Sequence, residues 1–111
     1  MEKRLENKRL SIVLDGCDMK TKEELMSNMK EAFSIPDYFG MNWDALDEVL
    51  TDLSWLEDIE SIDICFTNYD QVLSSAIEND RIVFKEILDS TTHYWEKEGK
   101  RWSYKTSLTT K

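Results

Sequence analysis

IPDYFGMNWDALDEVLTDL, residues 35–53, is the stretch on which the reading of this chain turns, and every charged residue in it is acidic. Pro36 closes whatever helix precedes it, because the residue before a proline is pushed out of the helical region. Gly40 supplies the freedom that an unusual backbone turn needs. Asn42 is a favourable N-cap for a following helix. On a wheel of about 100° per residue, Trp43, Ala45, Leu46, Val49, Leu50 and Leu53 share one arc. Asp44, Asp47, Glu48, Thr51 and Asp52 share the opposite one. The segregation predicts an amphipathic helix over 42–54 with an anionic outer face.

Working outward, LSIVLDG (10–16) is an apolar run ended by Asp-Gly, a strand entering a turn. Thr21 and Glu24 form a capping-box pair at the start of a helix that places Leu25, Met29, Ala32 and Phe33 on one side. After the acidic helix, SIDICFTN (61–68) alternates as a second strand, followed by an expected short polar helix around Ser74–Asn79. Asp80 opens a long helix whose inner stripe is Val83, Phe84, Ile87, Leu88, Thr91 and Tyr94 or Trp95, with Gly99 at its end. RWSYKTSLT (101–109) alternates Trp102, Tyr104, Thr106 and Leu108 as a last strand. The order β-α-α-β-α-α-β implies crossovers. The expected fold is therefore α/β: a small three-stranded, mostly parallel sheet with helices packed against it as a second layer. Residues 1–9 read as a charged leader, frayed or running into the first strand, and 10–111 as one domain.

Charge placement says more than the net charge of −9. Residues 31–80 hold 13 Asp and Glu and not one Lys or Arg, whereas the remainder holds 10 acidic and 14 basic residues. A field of that sign repels nucleic acid and anionic membranes and attracts a basic partner. No apolar run exceeds three residues, so no transmembrane helix is expected. The charged N-terminus lacks the apolar core of a signal peptide, and the expected location is the cytoplasm. Cys17 and Cys65 match neither a redox pair nor a zinc spacing. Both are expected to be free thiols, Cys65 as a small buried apolar residue and Cys17 in a turn.

The chain carries little that could perform catalysis. His93 is the lone histidine, with no nucleophile–base arrangement around it. Three glycines could scarcely build a phosphate-binding loop. Asp44, Asp47 and Glu48, at i, i+3 and i+4, place oxygen ligands on one helix face, but a straight face cannot wrap a calcium ion and no EF-hand spacing is present. No metal, no cofactor and no enzymatic activity are expected. Attraction by the helix dipole near the N-terminus accounts for Asp44 and Asp47 and extends to Glu48. It does not account for Asp52 or for the missing lysines, since a solvated helix ordinarily mixes signs at i, i+4. Phe39 and Trp43 read as core, and Tyr38 as an exposed aromatic beside carboxylates, a common composition for an interface anchor.

With these residues in view, the segment resembles the signature of barstar-type inhibitors of bacterial ribonucleases: a Pro-acid-Tyr-aromatic-Gly loop, then Asn-x-Asp-Ala-Leu opening an acidic helix. IVFKEI (82–87) is similar to the family's second interface helix, and the element order agrees along 10–109. The resemblance implies a three-stranded parallel sheet with packed helices. It also implies an inhibitor that is a monomer when free and that sets its acidic helix and preceding loop into the active site of a basic, barnase-type ribonuclease. There its carboxylates stand in for RNA phosphates. A related reading is an acidic immunity module for another basic toxin or nuclease. By resemblance, Tyr38 and Gly40 belong to the contact loop, Asp44 and Glu48 are the key helix carboxylates, and Glu86 is the acidic residue of the late helix. Glu48 is a methylene longer than the family's aspartate. Asp47 replaces an aromatic residue and adds a charge to the face, and Met41 replaces an acidic loop residue.

Overall fold

Two strands with alternating apolar residues form the centre of the molecule. In the computed structural model, which describes residues 1–109, β2 (Arg9–Asp15) and β3 (Ser61–Thr67) pair in parallel. Their register sets Leu10 against Ile62, Ile12 against Ile64 and Leu14 against Phe66. All six side chains are buried on one face. Because side chains alternate along a strand, Ser11, Val13, Asp63 and Cys65 project from the other face, where they are half-buried. Cys65 is thus not the core residue its setting suggested: its isoleucine and phenylalanine neighbours take the inner face. It is a free thiol, as is the exposed Cys17. β4 (Arg101–Thr106) adds in parallel on the far side of β3 and turns Trp102 into the core. Leu108 lies beyond this strand and is exposed.

The sheet has four strands rather than three, in the order β1-β2-β3-β4. β1 (Glu2–Glu6) lies within the charged leader and pairs antiparallel with β2. The two-residue loop Asn7-Lys8 joins them with positive φ at both positions, 50° and 65°, the backbone twist that suits a tight hairpin. All five β1 residues are exposed, so the strand leaves no apolar alternation in the sequence. Lys3 nevertheless ties it to the helical layer, donating from Nζ to Ser34 Oγ at 2.8 Å. The three strands that were expected are the parallel ones, and the helices cover their inner face.

Helix α1 (Lys22–Ala32) starts at the expected capping box, with Glu24 N–H donating to Thr21 Oγ1 and Thr21 N–H donating back to Glu24. It ends before Pro36. Ser34 takes positive φ (52°), and the amides of Ser34 and Ile35 donate to the carbonyls of Glu31 and Lys30, the double bond of a Schellman motif with serine in the place usual for glycine. The short helix expected at Ser74–Asn79 does not form. After a 3-10 turn at Tyr69–Gln71 the chain continues in turns and a bend to Ile77, and the amides of Leu73 and Ser75 donate to Met19 and Lys20 instead of along a helix. Helix α3 begins two residues earlier than expected and runs Glu78–Glu98. Phe84, Ile87, Leu88, Thr91 and Trp95 are its buried stripe, Val83 is half-buried, and Tyr94 is exposed. Gly99, at φ 84°, caps its end.

The ends of β2 and β3 are fastened to each other. Asp15 accepts from the Cys17 amide and from Asn68 Nδ2, both at 2.9 Å, and the Asn68 bond is the main cause holding its pKa below the usual carboxylate value. A Cβ added at Gly16 would sit 2.0 Å from the Asn68 carbonyl oxygen. Gly16→Ala should therefore destabilise the fold by roughly 1–3 kcal/mol through overpacking, read as a lower urea midpoint with an unchanged slope.

Asp70 fastens the chain after β4. Its carboxylate accepts from the Thr109 amide at 2.7 Å, the Thr109 hydroxyl at 2.9 Å and the Gln71 amide at 3.1 Å. The Thr109 amide is the largest cause, and together these bonds lower the pKa from 3.8 to about 2. A depressed folded-state pKa stabilises the fold above the unfolded value, and that stability is lost as pH falls from 3.8 towards about 2. Across this window Asp70→Asn should show a shallower fall of urea midpoint with acid than the wild type.

Candidate functional site

The acidic segment is built from a loop and a shorter helix than the sequence suggests. A turn closes with the Phe39 amide donating to the Pro36 carbonyl. It sends two neighbouring aromatics in opposite directions: Phe39 is buried, while Tyr38 is 68% exposed. The positive φ falls at Met41 (55°), not at Gly40. Glycine serves there for space, because an added Cβ would press on the Asn42 side chain at 3.2 Å.

Helix α2 spans Trp43–Leu50. Asn42 caps it, accepting from the Ala45 amide at 2.8 Å through Oδ1. Past Leu50 the regular pattern breaks: the Asp52 amide donates to the Val49 carbonyl, three residues back, and Leu53 takes φ 50°, so Asp52 lies beyond the helix. Leu46, Val49 and Leu50 are buried, and Asp44, Asp47 and Glu48 are exposed on the opposite side. Among the described residues none of these three carboxylates has a salt bridge or a side-chain hydrogen bond; in the loop before them, Asp37 pairs with Lys30 of α1. Also among the described residues, no three His, Cys, Asp or Glu side chains come together as a metal site. The exposed His93 stands apart on α3.

Five of the six expected contact residues therefore share one exposed segment: Tyr38, Gly40, Asp44, Asp47 and Glu48. The sixth, Glu86, is exposed on α3, two residues from the buried Phe84 and so nearly opposite it on the helix. It lines a groove with Tyr69, Leu73, Ile82 and Lys85 that includes no residue of 38–48.

What the sequence reading missed is how α2 is held. Trp43 is half-buried, not core; its Nε1 donates to Asp80 Oδ1 at 3.1 Å, and its ring packs on Phe84 with centroids 6.1 Å apart. Lys22 Nζ stands 5.3 Å from the same ring. At the other end, Trp95 Nε1 donates to the Leu50 carbonyl at 2.8 Å. The partners are 37 and 45 residues apart, and no local pattern announces them.

Comparison with known families places this arrangement. The model of the family described as Barstar (barnase inhibitor) matches residues 10–107, and the chain belongs to that family. No curated protein matches it.

The cap can be checked directly. Asn42→Ala should destabilise the protein by about 0.5–2 kcal/mol, the usual cost of losing an N-cap, while Asn42→Ser should stay close to wild type. Thermal denaturation of the two variants side by side reads the difference.

Proposed function

We propose that this barstar-family chain is an intracellular inhibitor of a basic ribonuclease of the barnase type. It acts by binding rather than catalysis, setting the loop before α2 and the face of Asp44, Asp47 and Glu48 into the nuclease active site as a mimic of RNA phosphates. Tyr38 and Gly40 belong to the contact loop, and Glu86 adds a carboxylate from α3. The observation that carries the reading is the exposed, unpaired, one-sign face of α2.

The physical case follows from the partner's chemistry. A nuclease grips phosphate with cationic side chains, so a short, rigid anionic helix is complementary to it. Like charges at i, i+3 and i+4 repel each other in the free protein, and a cationic cleft relieves that repulsion. The net charge of −9 also steers a basic partner during encounter, an effect that salt screens. A cell that secretes such a nuclease needs the inhibitor in its cytoplasm, as a free monomer available for one-to-one capture.

Two residues favour a second reading. Glu48 reaches farther than the family's aspartate, and Asp47 presents a charge in place of an aromatic ring. Both fit a cognate nuclease with a differently shaped phosphate site, or another basic toxin for which this chain is the immunity module.

Titration of a barnase-type ribonuclease with the protein, followed by RNA cleavage, tests the main reading. Stoichiometric inhibition that weakens with added salt is expected; none at micromolar excess would leave only the second reading. Within the complex, Asp44→Ala and Glu48→Ala should each cost roughly 2–5 kcal/mol, the range for truncating one partner of a buried interfacial charge pair. Asp58→Ala, exposed and beyond the end of α2 in sequence, should stay within about 0.5 kcal/mol of wild type. Equal, small effects from all three would eliminate the proposed face.

A further inference from the structure

An eight-residue helix cannot fix its own orientation, because isolated helices this short are marginal in water. The repulsion along its acidic face makes that worse. Buried Leu46, Val49 and Leu50 seat the helix on the core, and at its first turn, beside Asp44, the side chain that ties it to other elements is Trp43. The structure surrounds this side chain with the opening turns of two other helices: Lys22 is the first residue of α1, and Asp80 is the third of α3. Asp80 accepts the indole N–H at 3.1 Å, Phe84 packs on the ring, and the Lys22 ammonium stands 5.3 Å from its centroid. Trp43 and Asp80 are both half-buried, so water competes only partly for their bond. A ring held by an edge bond, an apolar contact and a cation has little freedom to turn.

We propose that Asp80 and Lys22 are positioning residues for the inhibitory face: acting through the Trp43 indole, they fix the first turn of α2 and hold Asp44 and Glu48 in the pose that a cationic partner meets. Neither residue needs to touch that partner. Their contribution is preorganisation, which lowers the ordering cost of binding. The inference rests on the function proposed above, and Asp80 acts in it as a hydrogen-bond acceptor, not as a further charge presented to the nuclease.

The test uses the full chain, a barnase-type ribonuclease and two readouts: inhibition, and NMR of the Trp43 indole with exchange of the Ala45 and Leu46 amides. Asp80→Leu removes the acceptor and should weaken inhibition by roughly tenfold, the scale of one hydrogen bond to a charged group. It should also shift the indole signal and speed exchange of both amides. Asp80→Asn keeps an acceptor oxygen and should restore all three to near wild type. Trp43→Phe should weaken inhibition as Asp80→Leu does, and the double variant should be no weaker than either single one. Lys22→Met, which keeps the stem and loses the cation, should cost roughly threefold.

Inhibition by Asp80→Asn as weak as by Asp80→Leu, or additive losses in the double variant, would overturn the proposal, because Asp80 would then act through its charge. If the wild-type protein fails to inhibit, the functional reading falls, and the exchange data still decide the positioning role. Unchanged Ala45 and Leu46 exchange in Asp80→Leu overturns it.

Discussion

The last carbonyl of α2, at Leu50, accepts the Trp95 indole N–H at 2.8 Å inside the protein. That one buried bond satisfies a helix-end acceptor that would otherwise go unpaired away from water. It also joins the helix of the candidate site to α3, whose Phe84, Ile87, Leu88 and Trp95 are buried in the core. With the bond from Trp43 to Asp80, both ends of α2 are attached to the same long helix. The acidic face is thus mounted on an element of 21 residues, while α2 itself supplies only eight. The surrounding loops are tied in the same way. Trp55 Nε1 donates to the Phe33 carbonyl at 2.9 Å and fastens the chain after α2 to the end of α1.

Charge is sorted by this architecture as well as by sequence. The cations of the leader, which the charge count left without a role, are used locally: Lys3 bonds Ser34, Lys8 pairs with Glu60 and Arg9 with Asp63. Asp63 is also held by the Ser103 hydroxyl, the largest cause of its lowered pKa, with Arg9 adding to it. Exposed pairs of this kind contribute little to stability. Their consequence is spatial: Glu6, Glu60 and Asp63 have cations beside them, whereas Asp44, Asp47 and Glu48 have none within ion-pair distance among the described residues. What sets α2 apart is that its three exposed carboxylates share one helix face with no cation among them.

Much of the fold could be read where periodicity and capping chemistry agree. The capping box of Thr21 and Glu24, the Asn42 cap, the alternation in β2 and β3, and the family match along 10–107 all point to the architecture observed. The readings that failed have identifiable causes. β1 is exposed along its whole length and made largely of charged residues, so pairing with β2 alone makes it a strand. The expected helix over 74–77 is lost where the amides of Leu73 and Ser75 bond Met19 and Lys20, far off in sequence. Cys65 faces outward because the register gives the inner positions to Ile64 and Phe66.

By itself, then, the sequence determined the α/β class, the family, the amphipathic character of α2 and which of its carboxylates face solvent. Each of these is local: 3.6- and 2-residue periods, capping side chains and a contiguous motif lie within a few residues of one another. Only the tertiary structure decided the fourth strand and the end of α2 at Leu50. It alone brought Lys22 and Asp80 to Trp43. These depend on pairing between segments tens of residues apart, where partners are chosen by packing and by the satisfaction of buried polar groups, and a linear pattern carries no record of either.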